Sequence, residues 1–88
     1  MILSDKWKPL TGQIRYAATG KDYDPRTDFG YSEMAYWKLA GMVDEEFGPA
    51  GATSSEIYQN ITGPLGLSTS DTVVLIKHAR NKGYLKTV

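Results

Sequence analysis

The clearest apolar pattern lies near the carboxyl end. Advancing about 100° per residue from Ser68, the side chains of Thr72, Leu75, Ile76, Ala79 and Gly83 fall on one arc, and Ser70, Val74, Lys77, His78 and Asn81 fall opposite. Ser68 stands three residues before Asp71, where a hydroxyl satisfies an orphan amide and a carboxylate favours the positive helix end. The spacing predicts a helix over 68–82. Lys77, Arg80 and Lys82 in its last turns and Gly83 after it predict its end, and Tyr84-Leu85-Lys86-Thr87-Val88 reads as a strand.

A second helical period covers 32–47, where Tyr36, Leu39, Ala40, Val43 and Phe47 recur at three- and four-residue spacing and Met34, Ala35 and Met42 widen the stripe. Gly41 weakens that helix by about 1 kcal/mol relative to alanine. Asp44, Glu45 and Glu46 sit at its carboxyl end, where the helix dipole disfavours anions, so they are expected to be solvated or held by another group. Gly48-Pro49-Ala50-Gly51-Ala52 breaks the chain, and Thr53-Ser54-Ser55-Glu56 has capping-box spacing before Ile57 and Ile61. This predicts a helix over 54–62, followed by a turn at Gly63, Pro64 and Gly66.

The first thirty residues are less regular. The segment 1–11 reads as an arm that packs Trp7 on the body, and 21–30 has turn composition. Between them, 12–19 is compatible with a short helix capped by Thr11 and ended by Gly20, and equally with a strand alternating through Ile14 and Tyr16.

An 88-residue chain with 41% hydrophobic residues has room for one core, so a single domain is expected: 1–30 as extension and 31–88 as helical core. No cysteine is present, which excludes disulfides and thiolate metal sites. Apolar runs reach four residues, as in Val73-Val74-Leu75-Ile76, against the ~20 needed to cross a bilayer, and no leader pattern opens at Met1. The expected setting is soluble, cytoplasmic and away from membranes.

Formal charge is zero, but residues 53–88 hold four Lys/Arg against two Asp/Glu, while residues 1–52 hold six against eight. All four of those cations follow Ile76, giving a neutral chain a basic end.

Catalytic chemistry has little to use. His78 lies seven residues after Asp71 on the predicted helix, about 10 Å along its axis, too far for an orienting hydrogen bond. Ser68 and Ser70 lack a nucleophile elbow and a base, and Gly63-Pro64-Leu65-Gly66 lacks the Lys-Ser/Thr of a phosphate loop. Asp22, Asp24 and Asp28 suggest a calcium loop, but Pro25 and Arg26 stand where ligands are needed, so a solvated turn is expected. No enzyme activity, cofactor or metal is expected.

The order of a Thr53-Ser54-Ser55-Glu56-Ile57 helix, a Gly66-Leu67-Ser68 turn, a longer helix and a Gly83-Tyr84-Leu85 exit resembles the helix-turn-helix half of the winged-helix DNA-binding families, over 53–83 and its strand. Glu56 and Gly66 are ten positions apart, further than in that pattern, which calls for a longer turn or an extra helical turn. With Val88 last, the second wing strand is expected from the amino-terminal segment or from a partner subunit.

The resemblance implies a mainly α fold with small β, a winged-helix-like three-helix domain with a short carboxyl-terminal strand. It also implies that the 68–82 helix docks in the major groove of double-stranded DNA, in a homodimer that regulates transcription or replication. Ser68, Thr69, Ser70, Asp71, Val74, Lys77, His78, Asn81 and Lys82 are the expected DNA contacts: hydroxyls toward phosphates or base edges, cations along the backbone, and valine toward a thymine methyl. The competing expectation is a protein-interaction module on the same scaffold, with Val73, Val74 and Tyr84 as the partner surface.

Overall fold

A computed structural model describes residues 14–24, 26 and 31–88, Tyr31 and Ser32 by backbone alone. The packing expected of Trp7, and Asp28 of the acidic turn, lie outside these residues. The described chain is mainly helical with a small antiparallel sheet: β1 (Tyr16–Ala18), α1 (Tyr31–Phe47), a 3-10 turn (Gly48–Ala50), α2 (Ser54–Ile57), a π turn (Tyr58–Thr62), α3 (Thr69–Asn81) and β2 (Leu85–Thr87).

The segment left open between helix and strand is β1, one of the two strands of the sheet. It pairs with β2 in the register Tyr16↔Thr87, Ala17↔Lys86 and Ala18↔Leu85, while Tyr16 forms a bridge with Ala52 on the other edge. Tyr16 N–H donates to Ala52 O at 2.8 Å and Ala52 N–H returns to Tyr16 O at 2.9 Å. The strand's core contact is Ala17, not the predicted Ile14 and Tyr16 face: Ile14 is 57% exposed and Tyr16 is half-buried. Small side chains suit this strand because β1 passes close to the α1–α2 connection.

The capping expectations hold. Thr53 Oγ1 accepts from Glu56 N–H at 3.2 Å and Glu56 Oε1 accepts from Thr53 N–H at 2.9 Å. At α3, Ser68 Oγ accepts from Asp71 N–H at 3.0 Å, and Asp71 Oδ2 accepts from Ser68 N–H at 3.3 Å. Ten positions separate Glu56 from Gly66 because α2 widens into the π turn, which Gly63 closes by donating to Tyr58 O at 2.7 Å.

The predicted stripes supply most of the core, although Gly83, expected on the inward arc of the last helix, is exposed. Leu39, Ala40 and Val43 of α1 meet Ile57, Ile61, Ile76, Ala79, Tyr84 and Leu85, with Leu75 half-buried beside them. Ala35, expected to widen the α1 stripe, is exposed, as are Asp44, Glu45 and Glu46. Between α2 and α3 the buried hydroxyls of Thr62 and Thr72 are hydrogen-bonded, and Thr72 Oγ1 donates to Ser68 O at 2.8 Å. Since that bond uses the single hydroxyl proton of Thr72, Thr62 must donate to Thr72.

Gly51 marks the tightest point. Its φ is +73°, and a Cβ there would lie 2.4 Å from Tyr16 O, the acceptor of the bridge to Ala52. Gly51→Ala is therefore expected to cost about 2 kcal/mol or more, against about 1 kcal/mol for Gly66→Ala, which adds a Cβ in open space at a similar φ, as measured by urea denaturation. In the same measurement, Thr72→Val strands the Thr62 hydroxyl and is expected to cost about 1–3 kcal/mol, part of which a Thr62→Val/Thr72→Val double variant recovers.

Candidate nucleic-acid interface

The outward side of α3 takes its shape from the way the helix is pinned at both ends. At its start, the Ser68 and Asp71 side chains complete the capping box. At its end, Gly83 N–H donates to Arg80 O at 3.0 Å and Tyr84 N–H to Ala79 O at 2.9 Å, a Schellman closure with φ of +87° at Gly83. The last carbonyls are then taken by the amino-terminal segment. Lys21 Nζ donates to Lys82 O at 2.7 Å and Thr19 Oγ1 donates to Gly83 O, so a cation sits at the negative end of the helix. The same ammonium lies 4.4 Å from the centre of the Tyr84 ring.

All nine residues expected at a DNA interface are exposed, but the structure divides them. Ser68 and Asp71 are engaged in the cap. His78 stacks on Tyr36 of α1, ring centres 6.1 Å apart and planes within 9°. Lys82 Nζ pairs with Glu33 Oε1 at 3.3 Å, and Glu33 Oε2 accepts from Tyr84 Oη at 3.2 Å. These two side chains serve the α1–α3 contact. Thr69, Ser70, Val74, Lys77 and Asn81 remain, together with Val73, on a surface that no described part of the amino-terminal half covers.

Beside this surface runs a shallow cleft between α3, α2 and β1. Tyr16, Ser54, Val73, Ile76, Lys77 and Arg80 line one part of about 220 Å³, and Ser54, Ser55, Tyr58, Gln59, Thr69 and Val73 border a second of about 350 Å³. Among the described residues neither Lys77 nor Arg80 has an acidic partner. Arg80, Ser54 and Tyr16 were not among the expected contacts. Arg80 follows Val73 by seven residues, two helical turns, so it stands on the same line of α3 as that valine. That period was available in the sequence, whereas the positions of Ser54 and Tyr16 depend on tertiary packing.

Tyr84 is fully buried, which removes it from the partner surface proposed for the interaction-module reading and leaves Val73 and Val74, 56% and 52% exposed. No histidine, cysteine, aspartate or glutamate cluster suited to a metal ion occurs among the described residues, and no described helix is long and apolar enough to cross a membrane. Compared with known proteins, the chain matches no family model, no curated protein and no solved structure.

The Tyr84–Glu33–Lys82 link holds the end of α3 against α1. Tyr84→Phe is expected to lower stability by about 1–2 kcal/mol, because it removes a hydrogen bond to a carboxylate, while leaving the far-ultraviolet circular dichroism of the helices unchanged.

Proposed function

We propose that this chain is a small regulator of transcription or replication that binds duplex DNA with α3 in the major groove, as a homodimer. The observation that carries the reading is the outward side of α3, which no other described residue covers: hydroxyls at its first turn, Val73 and Val74 in the middle, and Lys77, Arg80 and Asn81 toward its end. Such a side offers each kind of contact a duplex requires. Lysine and arginine neutralise phosphates, asparagine presents a donor and an acceptor to adenine, and valine packs on the thymine methyl.

The winged-helix resemblance supports the same reading through the arrangement around α3. The strand after the helix pairs with the amino-terminal segment, one of the two sources anticipated for a second wing strand. Lys86 on β2 is exposed and adds a cation at the sheet. Within this reading, Lys77 and Arg80 do the electrostatic work, and Lys82 and His78 orient the helix.

A protein-interaction module is the second reading, favoured by the two adjacent exposed valines, since apolar side chains at the centre of a bare face also suit a protein partner.

Fluorescence anisotropy with a random-sequence duplex over a salt series separates the two. Binding is expected to weaken as salt rises, and Lys77→Ala/Arg80→Ala, which removes two cations from each copy of the dimer, is expected to reduce the logarithmic salt slope by about 4, with Lys82→Ala changing it less. No binding at about 50 mM salt removes the DNA reading and leaves the protein partner.

A further inference from the structure

On the flank of the domain away from the cleft, Ala35, Leu39 and Met42 of α1 line an apolar groove of about 220 Å³ with Ile61, Leu65 and Leu75. Leu65, in the turn after α2, is 62% exposed at its edge. The charges beside it are arranged with a symmetry of their own. Lys38 also lines the groove, four residues before Met42, and Glu45 follows Met42 by three. These residues lie on one stripe of α1, and neither charge has an ion-pair partner among the described residues.

We propose that this groove is the contact between two copies of the chain, which meet through antiparallel α1 helices about a twofold axis near Met42. An isologous contact requires a surface complementary to itself; Lys38 and Glu45 supply that complementarity, and Glu46, exposed beside Met42 and Leu65, stands next to Glu45 where the partner's Lys38 would come. Inverting α1 about a point between Gly41 and Met42 places Lys38 of each copy opposite Glu45 of the other. The apolar groove then closes over Met42 and Leu65, which solvent otherwise meets. The residues offered to DNA, Ser70, Val73, Val74 and Lys77, do not line the groove and stay bare in the pair. The inference specifies the pairing of copies in the reading above, but its test contains no DNA, so either can fail without the other.

The test is sedimentation equilibrium of the full chain over a dilution series. The unaltered chain is expected to dimerise, and Leu65→Asp, at an exposed position, to leave folded monomer by circular dichroism. Lys38→Glu and Glu45→Lys each place like charges opposite one another and are expected to weaken the dimer by about tenfold or more. Mixed in equal amounts, these two single variants are expected to form a heterodimer, because each supplies the charge the other lacks at both contacts. Monomer at every concentration overturns the proposal. So does a dimer indifferent to Leu65→Asp and both charge reversals, or a mixture of the two variants that associates no better than each alone.

Discussion

The structure depends on a short strand bonded along both edges. Tyr16 exchanges two hydrogen bonds with Ala52, Arg15 O accepts from Val88 N–H at 2.9 Å, and Thr19 N–H donates to Tyr84 O at 3.0 Å. The Arg15 side chain extends the first of these edges, donating to Ala50 O and Gly51 O and pairing with Glu56 Oε1 at 3.2 Å. One strand thus joins the α1–α2 connection to the end of α3. Closing such distant segments carries an entropic cost that rises slowly with loop length, and the return comes only when all of them are in place. For a domain of this size without disulfides, that mutual dependence makes the helices one cooperative unit.

Glu56 shows how the parts are coupled. Its carboxylate completes the capping box of α2 and also receives the guanidinium of Arg15. The first role is local, three residues from Thr53, and is legible from spacing alone. The second spans 41 positions and is not. The same division runs through the molecule. Both capping boxes, the glycine closure at Gly83, the apolar arcs of α1 and α3 and the extended exit are short-range features, so the chain itself displays them. The placement of β1 is long-range, and its three residues, tyrosine and two alanines, have no period strong enough to choose between helix and strand. The π turn lay between these cases: the spacing from Glu56 to Gly66 required extra length, but left open whether turn or helix supplied it.

The candidate site was legible to a similar degree, for a related reason. A helical wheel sorts residues into inward and outward sets, and the inward set on α3 was correct at Thr72, Ile76 and Ala79. It does not say what stands beside each flank. Lys82 and His78 lie toward α1, where Glu33 and Tyr36 engage them, while Lys77 and Arg80 lie toward β1 and α2, where no acid among the described residues meets them. Cations that look equivalent in the sequence are therefore divided by their neighbours into those that hold the helix and those that no described acid engages.

That division bears on how two proposed surfaces can act together. Through Thr72, Ile76 and Ala79, α3 is fixed in the core, and the hydroxyl link from Thr62 to Thr72 ties it to the end of the π turn, close to the groove edge at Leu65. The angle between the outward side of α3 and the α1 flank is thus set by buried contacts and not by mobile side chains. In a pair related by a twofold axis through that flank, the two outward sides are fixed relative to each other by the same contacts. On the proposed DNA reading, the target of such a pair would be two inverted half-sites at a spacing determined by the dimer, which is how symmetric readers of DNA impose symmetry on their sites. A single α3 has few cations with which to hold a duplex. In the proposed pair, two copies would double the phosphate contacts and confine recognition to sites whose symmetry matches the pair.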